Sequence, residues 1–270
     1  MTRPLSIAHL TFLHLSPPDL VRLAGEAGFD AVGLRLIAVT DTTPGYPLMD
    51  DPQMMRDTLR VMRDTGVTVN DIEFVRLTPS FDPQAFERFL AAGATLGARH
   101  IVTAPYDPDH GRLADNLAAF ADLAQGYAMT PVLEFFPWTT VPNLSSALDI
   151  VKNTGRADVG VLLDTLHFNR SDSTVQQIIE AAPGCFPFVH VCDAPVQDSY
   201  TEQALLHTAR AARLMPGDGA IDLRDILKHV PKDVPFGLEV PVLRDAECVS
   251  DADIARQLFE KTQALCAALV

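Results

Sequence analysis

A short apolar run ends on one carboxylate in the stretch Thr130-Pro131-Val132-Leu133-Glu134-Phe135-Phe136-Pro137. The run has the length of a buried β-strand, and Glu134 is the side chain with which that strand ends. A carboxylate beside Leu133 is costly to bury unless another group compensates its charge. The stretch therefore predicts a buried strand that delivers one acidic side chain to a polar site.

The same arrangement recurs three more times along the chain. The later apolar runs end on Asp164, on His190 and on Glu239. They read Val161-Leu162-Leu163-Asp164, Phe186-Pro187-Phe188-Val189-His190 and Pro235-Phe236-Gly237-Leu238-Glu239. Carboxylates and imidazoles are metal ligands in proteins, so all four terminal side chains are capable of binding a metal.

Strand-like and helix-like segments alternate along the whole sequence. The predicted strands cover residues 5–9, 30–36, 67–74, 100–104, 130–134, 161–164, 186–190 and 235–239, with helical patterns after each. A long loop is expected over 38–51, and a polar excursion over 193–219. Eight strand and helix units predict one closed (β/α)8 TIM barrel, an α/β fold, as a single domain over residues 1–270.

Composition and charge exclude several classes of function. The 270 residues are 47% hydrophobic, which fits a globular enzyme, and the formal charge of -14 repels nucleic acid. No signal peptide and no apolar run of membrane-spanning length are evident, so we expect a cytoplasmic protein without a membrane partner. The four cysteines show no C-x-x-C spacing, which favours free thiols. Homo-oligomerisation is left open.

The strand ends of such a barrel carry its catalytic face, so Glu134, Asp164, His190 and Glu239 are expected to converge there. A divalent cation shared by three carboxylates and one imidazole would remove the cost of burying them. This donor set favours Mn²⁺ or Mg²⁺, with Co²⁺, Fe²⁺ and Zn²⁺ as alternatives. The competing interpretation is a metal-free acid/base cleft.

The sequence also resembles the xylose isomerase-like barrel superfamily. The resemblance covers essentially the whole chain and includes the sequence Leu163-Asp164-Thr165-Leu166-His167, which is similar to the D-x-x-H motif of the superfamily. The segment 216–222, Pro-Gly-Asp-Gly-Ala-Ile-Asp, is similar to its G-x-G-x-I-D motif. Sugar phosphate isomerases and epimerases, hydroxypyruvate isomerases, inosose dehydratases and 3-dehydroshikimate dehydratases belong to this superfamily.

The resemblance implies a set of roles for individual residues. The four strand-end residues would be the metal ligands, and His167 would contact a substrate oxygen. Glu134 and Glu239 would exchange a proton beside a carbonyl from opposite faces of the substrate, as in the epimerases. One element departs from the pattern: the epimerases have an arginine shortly after the strand-seven histidine, and the matching position here is Val196. That substrate contact is either missing or supplied by another residue, for which Arg213 is one candidate.

Further residues near the strand ends are candidate substrate contacts. Arg35, Arg76 and Arg244 each follow an apolar run, and an arginine pointing inward would suit a carboxylate or phosphate. Ion pairing is the alternative for each of them. Glu73 is either a structural ion-pair partner or an additional base.

Two aromatic side chains complete the candidate site. His9 either lines the substrate pocket or is a core histidine with its hydrogen bonds satisfied. Trp138 either forms an apolar wall against a sugar or ring face or packs in the core.

The sequence thus predicts a metal-dependent isomerase or epimerase acting on a small hydroxy-ketone of carbohydrate type. A metal-dependent dehydratase acting on a keto-cyclitol or a dehydroshikimate-like acid is the second hypothesis. A non-catalytic sugar-binding barrel is the third.

Overall fold

A computed structural model describes residues 3–40, 42–241 and 249–269 of the chain. Its eight described strands form one closed barrel in sequential order, and every neighbouring pair is parallel. They are β1 (Leu5–Ile7), β2 (Ala31–Arg35), β3 (Thr68–Leu77), β4 (His100–Pro105), β5 (Thr130–Glu134), β6 (Gly160–Asp164), β7 (Val189–Val191) and β8 (Phe236–Leu238). The predicted (β/α)8 barrel is confirmed.

Helices connect the strands and surround the barrel. Those described are α1 (Pro17–Ala27), α2 (Pro52–Thr65), α3 (Glu87–Leu96), α4 (His110–Gln125), α5 (Leu144–Asn153), α6 (Thr165–Asn169), α7 (Val175–Glu180), α8 (Glu202–Ala211), α9 (Leu223–Leu227) and α10 (Asp251–Ala268). Short 3-10 helices cover His9–Phe12 and Pro83–Phe86. No helix in these described ranges is both long and apolar enough to cross a membrane.

The ends of the helices follow from local sequence signals. Asp51 accepts hydrogen bonds from the backbone of Gln53 and Met54, which caps the start of α2, where Pro52 occupies the first helical position. Gly28 ends α1 at φ 95°, a left-handed conformation that costs glycine little. These signals place each helix between two strands and leave the strand ends exposed to one face.

The structure adds a helix to the predicted element pattern and shortens its first strand. The polar excursion over 193–219 contains α8, which begins after the capping residue Thr201 and buries only Ala209 among its ten residues. Its apolar face is too weak to stand out from a polar loop. The first strand also ends at Ile7, because His9 already belongs to a 3-10 helix.

The barrel interior and the layer between strands and helices are apolar, with a second small cluster of Val102, Val132, Leu162 and Phe188. The buried charged groups lie mainly at the C-terminal strand ends, where Glu134, Asp164 and Glu239 are at most 5% exposed. The fold therefore concentrates its buried carboxylates on the face where enzymes of this architecture have their active sites.

Candidate metal centre

Four side chains from neighbouring strands converge at the C-terminal end of the barrel. Glu134 ends β5, Asp164 ends β6, His190 lies in β7 and Glu239 directly follows β8. One ligand atom from each lies within 4.8 Å of all the others, and all four residues are buried. The structure therefore brings the four sequence-predicted strand ends together into one group that could hold a metal ion.

Asp164 is held in place by the start of the next helix. Its Oδ1 accepts hydrogen bonds from the backbone N–H groups of Leu166 and His167 at 2.7 and 3.2 Å. The carboxylate thus caps α6, which the sequence Asp164-Thr165-Leu166-His167 forms directly after the strand. This cap leaves Oδ2 to face the interior of the site.

Arg213 connects two of the four candidate ligands. Its Nη1 donates to Asp164 Oδ2 at 2.6 Å, and its Nη2 lies 2.7 Å from Glu239 Oε2. Its Nε donates to the Ala209 carbonyl, so the guanidinium is fixed from three sides. Arg213 is 2% exposed. The sequence proposes Arg213 as a substrate contact, whereas in the structure it contacts two candidate ligands, the backbone of α8 and the Cys192 Sγ atom.

The charges around the site separate the proton affinities of its two glutamates. Burial raises the pKa of Glu134 well above its ordinary value, and the charges of Glu239 and Asp164 raise it further. Burial also acts to raise the pKa of Glu239, but the positive charges of Arg213 and His190 hold it below its ordinary range. The same opposition between burial and Arg213 leaves the pKa of Asp164 lowered. Without a metal, Glu134 therefore holds a proton more tightly than Glu239 does.

The pKa values of the two histidines in the site also shift in opposite directions. Burial lowers the pKa of His190, but the charges of Glu239, Glu134 and Asp71 overcome it and raise the pKa to about 10. Burial lowers the pKa of His167 to about 4, which leaves that ring neutral at pH 7. His167 Nε2 lies 3.6 Å from Glu134 Oε1, beyond hydrogen-bond length.

Three observations fit a divalent cation at this position. Ligands about 2.1 Å from a shared ion lie up to about 4.2 Å apart, so the four side chains need to move only slightly to bind one. Neither ring nitrogen of His190 has a hydrogen-bond partner among the described residues. If Glu134 is ionised and His190 is neutral, as metal binding requires, the three carboxylates and the Arg213 guanidinium leave two negative charges, which a dication would balance.

A cavity of about 290 Å³ opens onto this group. Glu134, Glu239, Arg213 and His167 contribute to its wall, together with Val39, Thr40, Thr42 and Thr43 from the long loop expected over 38–51. A larger cavity, about 540 Å³, is lined by Arg3, Leu5 and Asp30 near the opposite strand ends. The metal-capable group found among the described residues lies at the smaller cavity, which is therefore the candidate active site.

The predicted pair of Arg35 and Glu73 also lines this cavity. Arg35 Nε donates to Glu73 Oε1 at 3.1 Å, and both side chains are buried. Burial raises the pKa of Glu73, while the charge of Arg35 opposes that shift. The ion pair is therefore present and also forms part of the cavity wall, and a substrate contact by Arg35 stays a prediction.

Aromatic side chains form another wall of the cavity. The rings of Phe136 and Trp138 lie 4.8 and 5.2 Å from the His167 ring, both edge-on. Phe74 packs edge-on against Phe136. Trp138 Nε1 and His167 Nδ1 are buried without a hydrogen-bond partner among the described residues. The wall is therefore apolar, but it holds two ring nitrogens with unused hydrogen-bonding capacity.

His9 does not belong to the residues that line the cavity. Its Nδ1 accepts the backbone N–H of Arg35 at 2.8 Å, its Nε2 is 3.0 Å from the Leu15 carbonyl, and its ring stacks on Tyr46. The structure thus corresponds to the core-histidine alternative, and the predicted substrate contact is not supported.

The remaining candidates lie outside the cavity or outside the described residues. Arg76 is exposed, with its guanidinium 4.4 Å from the centre of the Tyr106 ring, so an inward orientation was wrong. Arg244 lies outside the residues that the structure describes.

Asp71 is a buried carboxylate that sequence reasoning missed. It precedes Glu73 by two residues in β3, and one of its oxygens has no partner among the described residues. Burial raises its pKa to about 6, an effect that the charge of His190 partly offsets. The signal was available, because acidic residues two apart on a strand point to the same side.

The sequence profile of the family described as "Xylose isomerase-like TIM barrel" matches residues 21–262 of the chain. The chain belongs to this family. Within it, an "Inosose isomerase" of Bacillus velezensis is 28% identical over 167 residues, which cover 58% of this chain and 57% of that protein. The match thus spans less than two thirds of that relative's length.

Two solved structures of similar proteins share the fold. The zinc-bound crystal structure of the IOLI protein has a TM-score of 0.75 at 20% identity, covering 99% of this chain and 98% of that one. The probable 3-DHS dehydratase AsbF of Bacillus anthracis has a TM-score of 0.73 at 17% identity, covering 96% of this chain and 98% of that one. At these identities the two similarities establish the barrel fold only. The chemistry has to be argued from the residues of the site.

Proposed function

We propose that this protein is a divalent-metal-dependent isomerase or epimerase acting beside the carbonyl of a small hydroxy-ketone. The observation that carries the proposal is the convergence of Glu134, Asp164, His190 and Glu239 in a buried group at the floor of the cavity. The similarity to an inosose isomerase supports a carbohydrate-like substrate. The cavity volume, about 290 Å³, suits a small molecule.

The four strand-end residues would hold the metal. A bound dication supplies Lewis acidity, which polarises a carbonyl and acidifies the neighbouring C–H group. The sequence favours Mn²⁺ or Mg²⁺, and the zinc in the IOLI structure supports Zn²⁺ as an alternative.

Glu134 and Glu239 would exchange the substrate proton. They end strands β5 and β8, three positions apart on a ring of eight, so their carboxylates approach the cavity from different sides. One of them would accept the substrate proton on one face while the other donates a proton on the opposite face, each while it also binds the metal. The neutral His167 would donate a hydrogen bond to a substrate oxygen beside Glu134.

A dehydratase acting on a keto acid is the second candidate. The same proton abstraction would then be followed by loss of a β-hydroxyl group. The arginine in the cavity wall, Arg35, is the observation that favours an acidic substrate, and the fold likeness to AsbF is in accord with it.

The test is proton exchange in D₂O, read by proton NMR, with ketoses, keto-inositols and dehydroshikimate offered to metal-loaded protein. We expect metal-dependent loss of one C–H signal, with a new stereoisomer from an epimerase or an alkene signal from a dehydratase. If chelated and metal-loaded protein give the same spectra with every compound, the proposal fails and the non-catalytic sugar-binding barrel is favoured. The expected cytoplasmic location and the open question of a homo-oligomer stay predictions.

A further inference from the structure

The guanidinium of Arg35 uses only part of its hydrogen-bonding capacity within the protein. Its Nε donates to Glu73 Oε1 at 3.1 Å. Among the described residues, neither Nη1 nor Nη2 makes a hydrogen bond. The two terminal nitrogens carry four N–H groups in a fixed planar fork, which matches the two oxygens of a carboxylate.

This unused edge belongs to a buried side chain in the cavity wall. Arg35 is 5% exposed, and it lines the same cavity as Glu134 and Glu239. Because the two terminal nitrogens still reach the cavity, a ligand that displaces water from them has to offer an acceptor in its place. Because the donors are charged, an anionic acceptor gains more from them than a hydroxyl does.

The other arginines of the cavity wall differ from Arg35 in their partners or their exposure. Arg213 lines the same cavity but directs its Nη1 and Nη2 at Asp164 and Glu239, so both of its terminal nitrogens already have acceptors. Arg210 also reaches the cavity wall, but it is exposed, where an ion pair contributes little. Among the described arginines of the cavity wall, Arg35 is therefore the buried one with a fork available to a ligand.

We infer that the substrate carries a carboxylate, which Arg35 binds through Nη1 and Nη2 while the hydroxy-ketone end lies at the metal-capable group. The substrate class is then a small hydroxy-keto acid. Glu73 holds the guanidinium by its Nε edge and sets the direction of the fork. Phe74, Phe136 and Trp138 contact the carbon skeleton between the two ends. The inference deepens the proposed function and rests on it for the placement of the ketone.

Trp138 provides a direct reading of ligand binding, because it is the only tryptophan in the sequence and it lies in the cavity wall. Zn²⁺-loaded protein is titrated with two pairs of compounds while tryptophan fluorescence is followed. One pair is 5-keto-D-gluconate and L-sorbose, which differ in a terminal carboxylate. The other is 3-dehydroshikimate and its methyl ester. Fluorescence reports binding whether or not the ligand then reacts, so its result can be read separately from the D₂O experiment.

We expect the acid of at least one pair to bind about 10-fold or more tightly than its neutral partner. Arg35→Met removes the charge at similar length and should abolish that preference while leaving the neutral compound within about 2-fold of its wild-type affinity. Arg35→Lys should recover only part of the preference, because it lacks the fork. Arg76→Met is the matched control on an exposed arginine, and it should keep the full preference.

The inference is overturned if neutral partners bind as tightly as their acids, if Arg35→Met keeps the preference, or if no acid binds at tens of millimolar. If acids bind preferentially through Arg35 but no metal-dependent C–H exchange occurs, the carboxylate-binding role of Arg35 stands and the proposed isomerase chemistry is rejected. If C–H exchange occurs with ketoses but acids bind no more tightly than neutral compounds, the isomerase chemistry stands and the carboxylate-binding role of Arg35 is rejected.

Discussion

Arg213 Nη1 lies 2.6 Å from Asp164 Oδ2, and the same guanidinium reaches a second candidate metal ligand through Nη2. An arginine that pairs with two carboxylates in a site for a cation acts as a permanent part of the charge balance. It lowers the electrostatic cost of burying three carboxylates before any metal arrives. A bound metal and Arg213 would then together balance the negative charge of the three carboxylates.

Arg213→Met should therefore destabilise the metal-free protein by about 3 kcal/mol or more, because it leaves buried carboxylates without their cation. Added Zn²⁺ or Mn²⁺ should raise Tm more in this variant than in the wild type, since the metal becomes the main compensating charge. Differential scanning fluorimetry with and without metal measures both effects. Arg76→Met, on an exposed arginine, is the control. Equal metal-induced shifts in wild type and Arg213→Met would contradict shared compensation.

Gly237→Ala should weaken metal binding through His190. A Cβ at Gly237 would lie 2.9 Å from His190 Cδ2, closer than carbon atoms tolerate, so the imidazole has to move. We expect a loss of metal affinity of about 10-fold or more, as for other changes that displace a ligand. Competition with a chelating dye measures the affinity. Gly111→Ala, near the start of α4, is the control, and a wild-type affinity in both variants would refute the prediction.

His167→Phe should reduce C–H exchange without removing the metal. The variant keeps the backbone N–H that Asp164 Oδ1 accepts, so the ligand carboxylate stays in place. Loss of the imidazole should lower the exchange rate by about 100-fold or more, the usual scale for a positioned acid or base. His207→Phe, on the exposed face of α8, controls for the substitution. Full exchange activity in His167→Phe would rule out the proposed contact with a substrate oxygen.

His9 should make folding stability depend on pH. Burial lowers its folded-state pKa from 6.5 to about 4. Its contribution is therefore fully present above pH 6.5 and is lost as the pH falls towards 4, where the unfolded chain binds the proton more readily. The free energy of unfolding of the wild type relative to His9→Asn should fall by about 3 kcal/mol across this range. Urea unfolding at several pH values measures it, and a pH-independent difference would show that His9 is not held neutral.

Much of the fold could be predicted because each β-strand is a compact apolar run with a distinct end. The runs that end on Glu134 and Asp164 match β5 and β6 at their last residue. Helix α8 was not predicted because it lies on the surface. A surface helix that buries one residue has almost no periodic pattern of apolar residues. Strand ends are encoded locally, whereas an exposed connecting helix is encoded by little more than its cap.

The residues of the candidate site could be predicted only where a local sequence signal marks them. Residues that end strands were assigned to the metal-capable group, since a closed barrel brings all strand ends to one face. The partners of Arg213 could not be predicted, because a long side chain after α8 reaches Asp164 across 49 residues of sequence. The core role of His9 likewise depends on hydrogen bonds to Arg35 and Leu15, which only the folded chain supplies.

Metal content by inductively coupled plasma mass spectrometry tests the central claim most directly. We expect about one divalent ion per chain in protein as purified, and little in Glu239→Gln or Asp164→Asn, since each removes one ligand and one charge. Asp107→Asn is the matched control, because Asp107 is a buried carboxylate paired with Arg112 away from the metal-capable group; it should retain the wild-type content. Wild-type metal content in both Glu239→Gln and Asp164→Asn would contradict the account.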